Sequence, residues 1–302
     1  MNILITGGTG LVGQELTKQL LSNGHTVSIL SRSKKDIPNV AVYTWNLEKD
    51  EIEDGALQNV DVLVHLAGAG IADERWTNER KKIIIDSRVE PIKLLMSKFK
   101  QIEKAPKSFV SASAIGFYGG DRGEERLTEE SLVGKDFLAK CTFEWEAIAD
   151  TFGKEMNCRV AKIRIGVVLS EDGGALPKLI QPIKFGAGTA LGSGKQWMSW
   201  IHNHDLAALF VKAIEDKTMT DAYNATAPQP IRNEEMTKVA AEVLNRPLIL
   251  PNAPEFALKL VFGEMAVVIL GGTYVENKRI VETTNFTYKF PEIEGALKDL
   301  IG

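Results

Sequence analysis

The first half of the chain alternates short β-branched runs with amphipathic stretches. "NILIT" (2–6) is apolar along its length and breaks at a glycine-rich turn, so it predicts a strand. Leu11–Ser22 follows with helical spacing. "TVSIL" (26–30), "VAVYTW" (40–45), "VDVLVHLA" (60–67), "KSFVSAS" (107–113) and "CRVAKIRIG" (158–166) predict further strands. "DSRVEPIKLLMSKFKQI" and "FLAKCTFEWEAIADTFG" predict helices between them. Apolar strands separated by helices imply a parallel sheet covered on both faces. Crossovers of this length give an α/β, Rossmann-like doubly wound fold.

After Gly166 the texture changes, and residues 173–196 are rich in Gly, Pro and small side chains. "WMSWI" and "AYNAT" predict strands around a helix in "HNHDLAALFVKAIED", with Asp205 as its cap. "EEMTKVAAEVLNR" predicts an amphipathic helix capped by Asn233, and 247–302 alternates Pro-containing loops with helices. The pattern divides the chain into a nucleotide-binding domain over 1–166 and a smaller C-terminal α+β lobe over 167–302. Later segments are expected to return to the main sheet, and 247–302 forms a helical region of its own.

Composition narrows the function classes. The net charge of −4 gives no basic excess, which argues against a nucleic-acid partner. Two cysteines, Cys141 and Cys158, make no disulfide framework and fit a reducing, cytoplasmic setting. The apolar start runs straight into a turn, unlike a signal peptide. "FALKLVFGEMAVVILGG" is interrupted by Lys259 and Glu264 and is too short to span a bilayer, so no membrane partner is expected.

"TGGTGLVG" sits between the first strand and the first helix. Gly7, Gly10 and Gly13 fall where a dinucleotide turn needs tightness, close backbone approach and helix packing. Thr9, Leu11 and Val12 complete the loop, and the helix N-terminus offers N–H groups to phosphates. An NAD site places an acid at the end of the second strand. Here Ser31, Arg32 and Ser33 stand there, a guanidinium and two hydroxyls suited to a 2′-phosphate. NADP(H) is therefore favoured over NAD(H), against the alternative of a solvated basic turn. Asn46 and Leu47 end the third strand beside the expected adenine pocket. Leu66, Ala67 and Gly68 end the fourth, small enough for a cofactor to pass.

With "HLAG", "SASAIGFYG" and "WIHNHDLAALFVKAI", these residues resemble the extended short-chain dehydrogenase/reductase superfamily. "IADERWT", "DSRV", "FLAKCTFEWE", "GSGKQWMSWIH" and "GEMAVVILGG" are similar to its atypical NAD-dependent epimerase-like group, over essentially the whole chain. The resemblance implies a Rossmann-like domain and a small C-terminal domain, and brings no substrate. It also implies a Ser or Thr after the fifth strand, then Tyr-x-x-x-Lys on the next helix. Ser113 matches the serine, with Ser111 a second hydroxyl nearby. The helix has no such pair: one register gives Leu138 and Thr142, the other Phe137 and Cys141. Tyr274 and Lys278 have the spacing but lie far downstream.

Ser113 and Tyr118 are the candidate catalytic residues, with a bound water as the alternative proton carrier. Lys140, Cys141, Asp136 and Glu146 are weaker candidates; Asp136 also suits an N-cap. The resemblance places Arg88 near the cofactor, while a salt bridge to Asp86 or Glu90 is an equal contender. Trp76, Trp197 and Trp200 are the expected substrate-pocket walls. "GAGTALGSGKQW" fails as a P-loop because Gln196 replaces the Mg²⁺-binding hydroxyl. His202, His204 and Asp205 lack further ligands at metal-site spacing.

Two functions fit. One is an NADP(H)-dependent oxidoreductase or epimerase, monomeric or homodimeric, acting on a small polar substrate such as a nucleotide sugar or another carbonyl or hydroxyl compound. The other is an NADP(H)-binding sensor that has lost the catalytic pair. A partner-binding role for Phe262–Leu270 is a third, weaker idea.

Overall fold

The computed structural model describes residues 1–302. The strands are β1 (Asn2–Thr6), β2 (Thr26–Ser31), β3 (Val40–Asn46), β4 (Glu51–Ile52), β5 (Val62–His65), β6 (Ser108–Ala114), β7 (Arg126–Leu127), β8 (Arg159–Ile165), β9 (Val167–Leu169), β10 (Trp197–Met198), β11 (Trp200–His202), β12 (Asp221–Ala225), β13 (Ile231–Arg232) and β14 (Tyr274–Val275). The helices are α1 (Leu11–Ser22), α2 (Asn78–Gln101), α3 (Phe137–Met156), α4 (Leu176–Lys184), α5 (Asn203–Glu215), α6 (Asn233–Val243), α7 (Glu255–Phe262), α8 (Val267–Leu270), α9 (Lys278–Thr283) and α10 (Ile293–Ile301).

The main sheet runs β12-β8-β6-β5-β1-β2-β3-β4. Every pairing is parallel except the short antiparallel edge β3–β4. Helices α1 and α5 pack together, as do α2 and α3. The apolar strand interiors are consequently sealed, with Leu4, Leu63, Val64 and Val110 fully buried. Strand order reverses between β1 and β5, and the crevice at that switch point is where such sheets take ligands.

Residues 203–225 rejoin this sheet, with β12 as its far strand and α5 against α1. A second core gathers Leu169, Trp200, Met236 and Leu297 among α4, α6 and α10. A small cluster of Tyr118, Leu127 and Val275 lies under the β7–β14 pair. No helix is long and apolar enough to cross a membrane.

Three local expectations change. Helix α2 starts eight residues before Asp86, because Thr77 accepts a hydrogen bond from Arg80 N and caps it there. Asp205 does not cap α5; His202 does, through Nδ1. Asp205 instead accepts from the backbone of Lys289 and Phe290, which ties down the C-terminal segment. Asn233 is the first residue of α6, and its side chain accepts from Leu191 N.

Candidate functional site

The loop after β1 has the shape a dinucleotide requires. Gly7 has φ +73°, and a Cβ there would lie 2.7 Å from Ala67 N. It packs the turn onto the end of β5. A Cβ on Gly13 would meet Gly7 O at 2.5 Å, so α1 is pressed onto the turn. A Cβ on Gly10 would meet only Gly7 O, at 3.3 Å, and Gly10 is exposed. Gly10 begins α1 without a side-chain cap, and the first turn holds no acid. Its free N–H groups and positive dipole end therefore face the crevice, with Thr9, Leu11 and Val12 around them.

Ser31 ends β2, and Arg32 and Ser33 are exposed just beyond. Arg32 makes no ion pair or hydrogen bond, whereas neighbouring Lys34 is engaged by Glu53 and Val42 O. Asn46 spends its amide oxygen on the backbone N–H groups of Glu48 and Lys49, leaving only its amide nitrogen for a base. Leu47 packs partly against the core. Leu66 and Ala67 border Gly7, and Gly68 is exposed beside Arg88.

The expected catalytic hydroxyls lie in a buried polar network. Ser113 is 1% exposed and donates to Glu146 Oε1 at 2.7 Å. Glu146 is forked onto Arg164, with Nε–Oε1 at 2.7 Å and Nη2–Oε2 at 2.9 Å. Arg164 also donates to the Tyr118 hydroxyl at 2.9 Å, and that hydroxyl donates to Asn224 Oδ1 at 2.7 Å. Tyr118 is fully buried, and burial pushes its pKa up to about 12 despite the Arg164 charge. A phenol held there is a poor acid near neutrality. Tyr118 is thus packed in the core with its hydroxyl proton on Asn224 Oδ1, and Ser113 has its proton committed to Glu146.

Helix α3 supplies no replacement pair. Leu138 and Thr142 face Gly116, and Thr142 turns its hydroxyl back onto Leu138 O and Ala139 O. Phe137 packs on Trp76, ring to ring at 4.8 Å. Cys141 is buried, and burial raises its thiol pKa. Lys140 is exposed beside Glu144. Asp136 is the N-cap, accepting from Ala139 N at 2.9 Å and from Gly120 N at 2.6 Å. Tyr274 and Lys278 are a strand residue and a helix start, and Lys278 pairs with Glu282.

Of the three tryptophans, Trp76 is half-buried against Phe137, its indole N–H donating to Ile71 O at 2.7 Å. Trp197 is sandwiched by Arg232 at 3.7 Å, edged by Tyr274 and bonded to Glu124. Trp200 is fully buried in the second core and donates to Gln229 O. It is removed from the pocket wall by that packing.

Arg88 lies against Gly68 and over the Trp145 ring at 5.0 Å. The expected partners are taken: Asp86 pairs with Lys82, and Glu90 with Lys93. Ser111 is buried and turned onto Ala112 O. His65, Trp145, Glu146, Arg164 and Asn224 organise this region, and of these only Glu146 is a candidate from the sequence. A signal for Arg164 does exist in "CRVAKIRIG": Lys162 and Arg164 alternate with apolar residues on a strand buried on both faces, so each needs a buried partner.

Comparison with known proteins fits this geometry. Residues 3–226 match the NAD dependent epimerase/dehydratase family, and 253–300 match a domain of unknown function, DUF1731. Epimerase family protein YfhF of Bacillus subtilis (strain 168) is 37% identical, covering 100% of this chain and 98% of that protein. The chloroplastic epimerase family protein SDR39U1 homolog of Arabidopsis thaliana is 38% identical, covering 100% of this chain and 87% of its own. The crystal structure of human epimerase family protein SDR39U1 (isoform 2) with NADPH superposes with a TM-score of 0.88, at 31% identity and 99% coverage of both chains. The chain belongs to the NAD-dependent epimerase/dehydratase family, in its SDR39U1-like branch with the DUF1731 C-terminal domain.

Proposed function

We propose that the protein is an NADP(H)-dependent enzyme of this family, acting on a small polar substrate between the Rossmann-like domain and the C-terminal lobe. The carrying observation is the unengaged Arg32 between Ser31 and Ser33, where NAD-specific sites hold an acid. The human relative solved with NADPH supports the same cofactor. The Gly7–Gly13 turn fits the pyrophosphate, since Gly10 is the least crowded of its glycines, a Cβ there meeting only Gly7 O at 3.3 Å. When bound, NADP(H) would supply the hydride, and the protein orients it. Ser113 and Tyr118 are bonded within the core, so proton transfer falls to a water in the crevice.

A second reading, an NADP(H)-binding sensor without turnover, is favoured by one observation. Neither register of α3 presents an acid or base to the crevice.

Titration with NADPH and NADH tests the cofactor assignment. NADPH is expected to bind about tenfold or more tightly, the worth of a charge-assisted fork. Equal affinities would sink it. Incubation of the NADPH complex with carbonyl compounds, and of the NADP+ complex with nucleotide sugars, separates enzyme from sensor: loss of the nicotinamide absorbance in the first, or a new sugar isomer or oxidation product in the second, supports turnover.

A further inference from the structure

Helix α7 is apolar and yet buries nothing. Six of its eight residues are apolar, none of them buried, and Phe256 and Leu260 are 75% and 78% exposed. Leu258 and Phe262, one turn apart, are half-buried and form its inner side. A helix this short does not hold itself together in water. Something other than core packing keeps α7 in place.

That hold is Arg75, from the loop after β5. Its Nε donates to Val261 O at 2.9 Å, and its Nη2 donates to Leu260 O and Val261 O. These last-turn carbonyls lack partners within the helix and carry the negative end of its dipole. Lys81, in the first turn of α2, pairs with Glu264 just beyond.

Both ends of the span are pinned. Ala253 N donates to Ala190 O, and Gly192 N donates to Ala253 O, each at 2.9 Å. At the other end Met265 and Ala266 are buried, and a Cβ on Gly271 would lie 2.1 Å from Gly120 O. Gln196 Nε2 donates to Ile269 O at 3.2 Å. Between these anchors Gly263 has φ +59° and ψ −136°, and a Cβ there would meet nothing within 4 Å. Glycine is needed at that position for its backbone conformation, not for space.

The anchors ring one opening. Arg75 belongs to the loop leaving β5, Gly120 to the turn leaving β6, and 190–196 to the C-terminal lobe. β5 and β6 are parallel neighbours, so their carboxyl ends open on the same side, where the crevice lies. Residues 254–263 therefore cross the mouth of the crevice from the lobe to the nucleotide-binding domain.

We propose that residues 254–263 are a lid over the crevice, latched by Arg75 and jointed at Gly263, which lifts to admit the substrate. This rests on the reading above that the substrate lies between the domain and the lobe. Lifting α7 exposes no buried side chain and breaks chiefly the bonds of Arg75. The pinned ends leave the rest of the fold undisturbed, as a local opening requires.

Hydrogen exchange on the full chain reads the latch. In the native protein the amides of 258–263 should exchange by local opening, about a hundredfold or more faster than those of β5. Arg75→Met should speed them by about a further tenfold, and Arg75→Lys by less, since an ammonium still meets the carbonyls. The melting temperature and exchange in β5 and β6 should hold. Exchange of α7 only at the rate of β5, or no response to Arg75→Met, would overturn the proposal.

Acrylamide quenching of the nicotinamide fluorescence in the NADPH complex reads what the lid covers. Quenching should rise by about twofold or more in Arg75→Met, with NADPH affinity changed by less than about twofold. Faster exchange with unchanged quenching would make α7 a surface helix beside the crevice and overturn the lid. If the native protein binds no NADPH, the cofactor reading fails, and exchange alone decides the lid.

Discussion

Glu146 of α3 and Arg164 of β8 meet in a two-bond fork, with side chains 7% and 6% exposed. The fork joins the catalytic-position serine to the tyrosine of the "FYG" turn, because Ser113 donates to Glu146 and Arg164 donates to Tyr118. It sits where superfamily members keep chemistry, yet it faces inward.

Breaking one half of such a pair leaves the other charge buried and alone. Arg164→Met is expected to lower unfolding stability by about 3–5 kcal/mol. Glu146→Leu with Arg164→Met should cost clearly less than the sum of the two single changes. Urea unfolding of the four proteins measures the coupling; strict additivity would show that the fork is not a unit.

Two glycines of the nucleotide loop should separate folding from binding. Gly13→Ala places a Cβ 2.5 Å from Gly7 O and should destabilise the fold as well as abolish NADPH binding. Gly10→Ala meets only Gly7 O, at 3.3 Å, so its melting temperature should fall far less than that of Gly13→Ala while NADPH affinity falls. Thermal melts beside NADPH titrations check this, and equal loss of stability in both variants would refute the assignment of Gly10 to the pyrophosphate.

Much of this site was legible in the residues. The glycine turn and the strand-end Arg32 both follow from local rules, because they depend on neighbours in sequence. Asp136 as an N-cap does too. What escaped depends on distant partners. His65 reads as part of a small-residue strand end, but its role comes from Thr6 on another strand and Arg88 on a helix. Trp200 looks like a pocket wall by residue type, and only the packing of α4, α6 and α10 shows it to be core. Asp205 and Asn233 fit a capping rule, yet tertiary contacts with 289–290 and Leu191 override it.

His65 gives a pH prediction. Burial holds its pKa down at about 3, below the ordinary value of 6.5, so folding favours the neutral ring. The stabilisation is complete above pH about 6.5 and is lost as the pH falls toward 3, because the unfolded chain takes up the proton first. Its upper limit is roughly 4–5 kcal/mol, since each tenfold change in proton affinity is worth about 1.4 kcal/mol. Carboxylates such as Glu53 and Asp216, both held near 2, lose stability in the same direction, so the comparison must be differential. The stability difference between native protein and His65→Gln should shrink steadily from pH 7 to pH 4. A constant difference would mean that the ring titrates alike in both states.

Tyr118→Phe and Ser113→Ala decide whether the buried hydroxyls act in turnover or only hold the fold. Tyr118→Phe removes the partner of both Arg164 Nη1 and Asn224 Oδ1, so stability should fall by about 1–3 kcal/mol. Arg164 keeps Glu146, and Asn224 keeps its amide bond to Glu276 O, so the fold should survive. Ser113→Ala frees one Glu146 oxygen that Arg164 still holds, and should cost no more than about 1–2 kcal/mol. Neither hydroxyl reaches the nucleotide loop, so NADPH affinity should stay unchanged in both. On any substrate found, kcat should then fall by less than about tenfold, whereas a lost acid–base group costs about a hundredfold or more. A large fall in kcat at undiminished stability would return the proton to Tyr118 or Ser113. It would also require the network to open during turnover, which hydrogen exchange at the Asn224 amide, held by Glu129, would register.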